Sequence, residues 1–164
     1  MESEVKILKY ILVIIGAMLF GIMLDRYICN KALVSLKSEF NKFESFFSIL
    51  EQWLSNKQSD IKLEEYLASQ KYFKVAIYGM GVLGNLLYQE LSNTGIQVSY
   101  AIDRNGDEMY FEVPVFNPSD EYDEVDAIIV TAILDYEKIR ANIKKKTHAD
   151  VISLEDVIYG AAEM

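Results

Sequence analysis

A chain of 164 residues suffices for about one ordinary domain, and its formal net charge of −9 is unevenly distributed. Residues 60–164 carry 9 Lys and Arg against 19 Asp and Glu, a net charge of −10, whereas residues 1–59 carry 7 against 6. So acidic a domain would repel a phosphate backbone, which excludes nucleic acid as the expected partner. With one cysteine and one histidine, the chain also cannot form an internal disulfide or a Cys/His metal centre, so we expect no metal.

The N-terminal segment is the most apolar part of the chain. Ile7 to Leu24 contains one charged residue, Lys9, and a slightly longer helix from Val5 to Tyr27 would match the roughly 30 Å hydrocarbon core of a bilayer. A cleaved signal peptide is the alternative, but the acidic Glu2 and Glu4 do not suit its basic start, and no small-residue cleavage site follows Leu24. We therefore expect residues 1–30 to be a single-pass transmembrane anchor.

Residues 31–59 repeat an apolar residue at alternating spacings of three and four, which is a heptad pattern. The pattern predicts an amphipathic stalk helix about 40 Å long. Three arrangements fit the apolar stripe: a homodimer with a second chain, which we favour, packing on the chain's own globular domain, or contact with a lipid surface. The homodimer would use the seam Leu33, Leu36, Phe40, Phe43, Phe47, Leu50 and Leu54. Near the C-terminal end of the helix Phe46, Ile49 and Trp53 widen the apolar stripe, which suits contact with a neighbouring domain or a lipid surface more than an ideal two-stranded coil.

A glycine-rich turn lies near the start of the globular part, residues 60–164. Phe73 to Tyr78 predicts a buried strand and Val82 to Asn93 a helix, and glycines with the spacing G-x-G-x-x-G connect them. In this pattern the first glycine permits a tight turn, the second lets a phosphate approach the backbone, and the third lets helix and strand pack closely. Free N–H groups at the start of the helix favour an anion. The candidate nucleotide-binding turn is therefore Gly79, Met80, Gly81, Val82, Leu83 and Gly84.

Three further candidate contacts follow other predicted strands. Asp103 stands 19 residues after Gly84, where a carboxylate can accept hydrogen bonds from a ribose diol. The alternative for Asp103 is an ordinary strand-end acid that begins a turn. Arg104 either meets a 2′-phosphate or lies in solvent, and Thr131 either faces the ligand or is an ordinary strand-end residue.

Strand and helix patterns alternate through residues 60–164. Besides the segments around the glycine turn, we expect a helix capped by Asp60 over Ile61–Gln70, strands at Val98–Asp103, Phe111–Phe116, Asp126–Ala132 and Asp150–Leu154, and a helix over Asp135–Lys146. This alternation predicts an α/β fold, namely a single small Rossmann-like domain with a mainly parallel sheet, preceded by the transmembrane helix and the stalk helix. Right-handed crossovers would place the glycine turn at the carboxyl edge of the sheet.

Catalytic groups are not recognisable in the globular part. The tyrosine with a lysine four residues later that short-chain dehydrogenases use has no match there, since Arg140 stands four residues after Tyr136. The literal match of Tyr27 with Lys31 lies at the predicted membrane edge. Nucleophile-elbow, Walker-lysine and paired-histidine patterns are also missing. We therefore expect no catalytic residue and favour binding over catalysis by this chain alone.

Five segments in this order resemble parts of a known group of domains: "KVAIYGMGVLGNLLYQEL", "YAIDRN", "VPVFNPSD", "VDAIIVTA" and "VISLEDVIYG". They are similar to the small Rossmann-like domains of bacterial surface-polysaccharide and sugar-modifying proteins. The resemblance is strongest to the N-terminal nucleotide-sugar-binding domain of bacterial sugar acetyltransferases and to Rossmann-like end domains of some sugar methyltransferases and glycosyltransferases. It covers roughly Ile61 to Gly160, and this chain has an anchor and a stalk where those relatives have a catalytic domain.

The resemblance implies that the glycine turn and Asp103 hold a nucleotide or a nucleotide sugar. It points to a membrane-anchored binding protein, regulatory or accessory, of bacterial polysaccharide biosynthesis, in the inner membrane with its globular domain in the cytoplasm, where such ligands occur. An NAD(P)-binding redox enzyme or sensor is one alternative. A structural adaptor with a vestigial nucleotide site is the other.

Overall fold

The computed structural model describes residues 2–106 and 112–164, except for the side chains of residues 2, 4–6, 8 and 11–13. The chain forms two compact units, Met1–Glu44 and Ser45–Met164. In chain order the elements are α1 (Glu2–Gln58), α2 (Leu63–Ser69), β1 (Lys74–Tyr78), α3 (Val82–Leu91), β2 (Gln97–Ile102), β3 (Val115–Phe116), β4 (Ala127–Val130), a 3-10 helix (Ile133–Asp135), α4 (Tyr136–Ile143), β5 (Asp150–Ser153) and α5 (Leu154–Ala162).

The second unit is built on a five-stranded sheet with the order β3-β2-β1-β4-β5. All four neighbouring strand pairs are parallel. The chain runs from the central β1 outward to β2 and β3, then crosses back to β4 and β5 on the other side. This is the order of the first five strands in the doubly wound dinucleotide-binding fold. The predicted α/β class is confirmed, and the described sheet is entirely parallel where the sequence predicted a mainly parallel one.

Apolar side chains cover both faces of the sheet. Along β1, Val75 and Ile77 belong to one core with α2, α3, α5 and the end of α1, while Ala76 between them belongs to a second core that includes Ile143 of α4. All four residues of β4 are buried. A parallel sheet that is covered on both faces needs continuous apolar strands rather than alternating ones. That is why Ala127–Val130 is apolar at every position.

The C-terminal part of α1 packs on the sheet as part of the second unit. Ile49 and Trp53 are 1% and 5% exposed. The Trp53 indole N–H donates to Glu90 Oε2 of α3 at 2.7 Å, and the Lys57 ammonium lies 2.9 Å from the same oxygen. The buried Asn56 amide donates to the Ile158 carbonyl of α5 at 2.7 Å. This end of the predicted stalk is therefore an integral helix of the α/β unit.

The first unit is helical, and the large apolar side chains that the structure describes in it are exposed. From Ile14 to Ile28 the large apolar residues are about half exposed or more. Within the described part of the chain, none of the helices combines the length and the hydropathy that crossing a bilayer requires. The expected span Ile7–Leu24 includes residues 8 and 11–13, whose side chains lie outside the described part.

In three places the structure differs from what the sequence led us to expect. Asp60 does not cap the following helix: α2 has Lys62 at its N-cap, and Asp60 has a φ of 57°, in the left-handed region that an aspartate tolerates in a turn. Helix α5 was not predicted, although Ser153 and Asp156 form a capping box at its start. The extended piece expected from Phe111 begins outside the described residues, and β3 covers only Val115–Phe116.

Ile49 and Leu54 lie on the same helix but differ in burial, so substitutions at these two positions test how α1 packs. Replacing Ile49 with alanine is expected to lower the free energy of unfolding by about 2 to 5 kcal/mol, because it leaves a cavity between α1 and the sheet. Leu54→Ala removes a side chain that is 58% exposed and is expected to change stability by no more than about 0.5 kcal/mol. Urea unfolding followed by circular dichroism compares the two variants. Equal losses would contradict the packing of α1 described above.

Candidate functional site

The glycine turn lies at the carboxyl edge of the sheet, where the order of the strands reverses. The turn follows β1, and the strands on either side, β2 and β4, are reached by connections that run in opposite directions. Ligands of open α/β sheets bind in the crevice at such a point. All nine predicted site residues lie at this edge, in the turn itself or just after β2 and β4.

Gly79 makes the turn possible. Its φ of 95° lies in the region that favours glycine, and a Cβ there would lie 2.8 Å from the Thr131 hydroxyl oxygen. Its N–H donates to the Ile102 carbonyl at 2.8 Å, and its carbonyl accepts the Thr131 hydroxyl at 2.6 Å. The turn is thereby attached to both neighbouring strands.

Gly84 lets α3 approach β1. A Cβ at this position would overlap the carbonyl oxygen of Gly79 and lie 3.0 Å from its carbonyl carbon. Backbone atoms cannot move aside as a flexible side chain can, so only glycine fits without displacing the helix. The predicted role of the third glycine, close packing of helix and strand, matches this contact.

Gly81 is different, because no steric contact in the described part of the chain requires it to be a glycine. Its φ of −72° is accessible to any residue, and a Cβ there would have no neighbour within 4 Å among residues 2–106 and 112–164. The space beside its α-carbon is open, directly at the N-terminus of α3. A glycine without an internal steric role is expected where another molecule approaches the backbone.

The first turn of α3 presents free backbone donors beside Gly81. Gly81 is the N-cap and provides no side-chain cap, and the Asn85 N–H donates to its carbonyl at 3.0 Å as the first bond of the helix. The preceding N–H groups, of Val82, Leu83 and Gly84, have no acceptor within the helix. Together with the helix dipole they favour an anionic group.

Asp103 braces the turn from the end of β2. Its carboxylate is half-buried, and Oδ2 accepts the Met80 N–H at 2.7 Å while Oδ1 accepts the Asn105 N–H at 2.9 Å. Each oxygen retains a lone pair, so the carboxylate can still accept a hydroxyl from a ligand. The side chain therefore holds the turn through Met80, the residue before Gly81, and already has a structural role.

The other predicted residues divide into buried and exposed ones. Met80 and Leu83 are 2% and 4% exposed and pack into the core, so only their backbone is available to a ligand. Thr131 is 7% exposed, and its hydroxyl is used on the Gly79 carbonyl. Val82 and Arg104 are exposed. Of these five residues, only Val82 and Arg104 present a free side chain at this edge.

Two residues of the site were not singled out in the sequence. The Asn85 amide donates to the carbonyls of Met80 and Gly81, both at 2.9 Å, and holds the turn from inside α3. Tyr78 ends β1 half-buried, and burial raises its pKa above the ordinary value; Arg104 opposes this rise, while Asp103 and Asp135 add to it. Asn85 could have been identified from the sequence, because it is a polar residue in the first turns of a helix that follows a glycine turn.

No family model, curated protein or solved structure matches the chain.

The different environments of two glycines predict different effects of the same substitution. Gly84→Ala is expected to destabilise the chain by about 1 to 3 kcal/mol, since the new methyl group overlaps the Gly79 carbonyl. Gly81→Ala is expected to change the free energy of unfolding by less than about 1 kcal/mol, because the methyl group meets no described neighbour and the restriction of the unfolded chain offsets the preference for glycine over alanine at an N-cap. Differential scanning calorimetry measures both. A loss of stability in Gly81→Ala comparable with that in Gly84→Ala would contradict the assignment.

Proposed function

We propose that the α/β unit binds a nucleotide, and that a nucleotide sugar is its ligand. The observation that carries the proposal is Gly81, the one glycine of the G-x-G-x-x-G turn whose missing side chain leaves open space instead of accommodating part of the chain. The free N–H groups of α3 follow Gly81 directly, and the carboxylate of Asp103 binds the N–H of the preceding residue, Met80. This combination of groups suits a phosphate next to a ribose.

In the proposed complex the phosphate approaches the backbone at Gly81 and accepts hydrogen bonds from the first N–H groups of α3. The helix dipole stabilises its negative charge. The ribose hydroxyls donate to the free lone pairs of Asp103, which holds the turn at the same time. Arg104, which is exposed next to Asp103, can pair with a negatively charged group of the ligand.

The choice of a nucleotide sugar rests on the resemblance to domains of bacterial polysaccharide and sugar-modifying proteins. NAD(P) is the second candidate, and the glycine spacing with an acid 19 residues later favours it equally. We propose binding without catalysis, in a regulatory or accessory role in polysaccharide assembly. A redox enzyme would need an acid or a base that the sequence does not offer in a recognisable place.

We also propose that residues 1–30 anchor the protein in the bacterial cell membrane, with the α/β unit in the cytoplasm. In the stretch from Ile14 to Leu24, which contains no charged residue, exposed apolar side chains occupy all sides of α1. A helix that is apolar all round requires an apolar environment on every side. Nucleotide sugars are cytoplasmic, which decides the proposed orientation.

The binding proposal is tested by isothermal titration calorimetry of the full chain in detergent, with UDP-glucose, dTDP-glucose, NAD and NADP as ligands. A nucleotide sugar is expected to bind, and Gly81→Val is expected to abolish binding without unfolding the protein, since its side chain fills the space used by the phosphate. Gly95→Val is the matched control: Gly95 also faces open space but precedes β2 at the opposite edge of the sheet. We expect it to bind as the native chain does.

Asp103→Asn tests the ribose contact separately. The substitution keeps an oxygen that can accept the Met80 N–H but removes the charge, so affinity for a nucleotide sugar is expected to fall about tenfold or more. Binding of NAD or NADP alone would replace the sugar assignment with the redox alternative. Failure of all four ligands to bind would leave the turn as a packing device and support the adaptor.

A further inference from the structure

One apolar stripe of α1 remains uncovered. In the first unit Leu33, Leu36, Phe40 and Phe43 are 57%, 68%, 65% and 68% exposed. We call these four residues the stripe. The heptad pattern continues into the second unit, where Phe47 and Leu54 are also exposed, whereas Leu50 is half-buried against the core of its own unit.

The stripe is one-sided. Residues three and four apart share one face of a helix, and the positions between those of the stripe include Ser35, Ser38, Asn41 and Lys42. The segment before it, from Ile14 to Leu24, is apolar all round. A single face with spacings of three and four is the surface that another helix fills with knobs-into-holes packing.

The chain's own α/β unit and a lipid surface both fit the stripe poorly. The α/β unit already covers the face of α1 that contains Ile49 and Trp53, which is not the heptad face. Within the first unit α1 is one uninterrupted helix, and Phe43 lies 19 residues beyond Leu24, about 28 Å along the axis. A helix anchored in a bilayer by its apolar segment therefore carries the stripe out of that bilayer.

We propose that the stripe binds the same stripe of a second copy of this chain, parallel and in register. The heptad spacing argues for a helical partner, and an identical copy supplies an identical spacing. The parallel orientation rests on the proposed membrane anchor, because two chains anchored in the same sense have α1 pointing the same way. Cys29 lies four residues before Leu33, at the preceding seam position, and therefore faces Cys29 of the second copy.

Charges beside the stripe distinguish the two orientations. In the parallel dimer Glu39 faces Glu44 of the second copy, a like-charge pair that weakens the dimer. The exposed pair of Lys42 with Glu39 of its own helix, at 3.5 Å, offsets only a small part of this repulsion. In an antiparallel dimer centred between Phe40 and Phe43, Lys37 would face Glu44 instead. Glu44→Lys therefore creates an attractive pair in the parallel dimer and a repulsive pair in the antiparallel one.

The native cysteine provides the direct test. A short bifunctional maleimide that partitions into detergent is expected to link two copies of the full chain through Cys29, the one cysteine of the sequence, which lies at the C-terminal end of the proposed anchor and is not covered by the chain itself. The matched control moves the cysteine to the outer face of α1, as Cys29→Ser with Ser38→Cys, and is expected not to link. No linking through Cys29, or equal linking from both positions, would overturn the proposal.

Substitutions on and off the stripe complete the test. Phe40→Asp with Phe43→Asp is expected to abolish the cross-link, whereas Val34→Asp, which adds a carboxylate at an exposed position off the stripe, is expected to preserve it. Glu44→Lys is expected to increase the linked fraction; a decrease would overturn the parallel arrangement.

Flotation of the same variants with lipid vesicles tests the anchor separately. A variant that loses the cross-link but still floats with the vesicles has lost the dimer contact alone. Loss of flotation in every variant would instead overturn the anchor and, with it, the basis for the parallel orientation.

Discussion

The contact of Gly84 with the Gly79 carbonyl determines how the candidate site is built. Because neither residue has a side chain there, the start of α3 lies directly against the end of β1. Gly79 can then adopt its left-handed backbone, and the Thr131 hydroxyl and the Ile102 carbonyl hold it from the two neighbouring strands. The free N–H groups of α3 thus have a defined direction before any ligand arrives, which reduces the entropy lost on binding.

The same helix connects the candidate site with α1. At its N-terminus α3 carries the glycine turn, and near its C-terminus Glu90 accepts the Trp53 indole and pairs with the Lys57 ammonium. The Glu90 side chain is only 13% exposed, so these bonds form where water screens them little. The last turns of α1, from Ser45 onward, are therefore part of the core of the α/β unit.

Much of the α/β unit was predictable because its signals are local. The strand, turn and helix around Gly79–Gly84 follow from an apolar run, glycine spacing and helical periodicity, and alternation of strands with helices implies a parallel sheet. The packing of the end of α1 on the sheet was one of three arrangements that the sequence left open, because two overlapping apolar faces occur on that helix; the residues that widen the stripe, Ile49 and Trp53, are the ones that meet the core. Asp60 was misassigned because aspartate favours both N-caps and left-handed turns. The bond from Met80 to Asp103 joins residues 23 apart and depends on the packed sheet.

Hydrogen exchange of individual amides in the full chain, with and without UDP-glucose, tests the proposed site most directly. We expect the nucleotide to slow exchange at the first amides of α3, Val82 to Gly84, and to leave the amides around Gly95 unchanged. Those α3 amides have no acceptor within the helix, so protection there reports a new acceptor supplied by the ligand. Binding that protects another surface, or that leaves the start of α3 unprotected, would contradict nucleotide binding at the glycine turn.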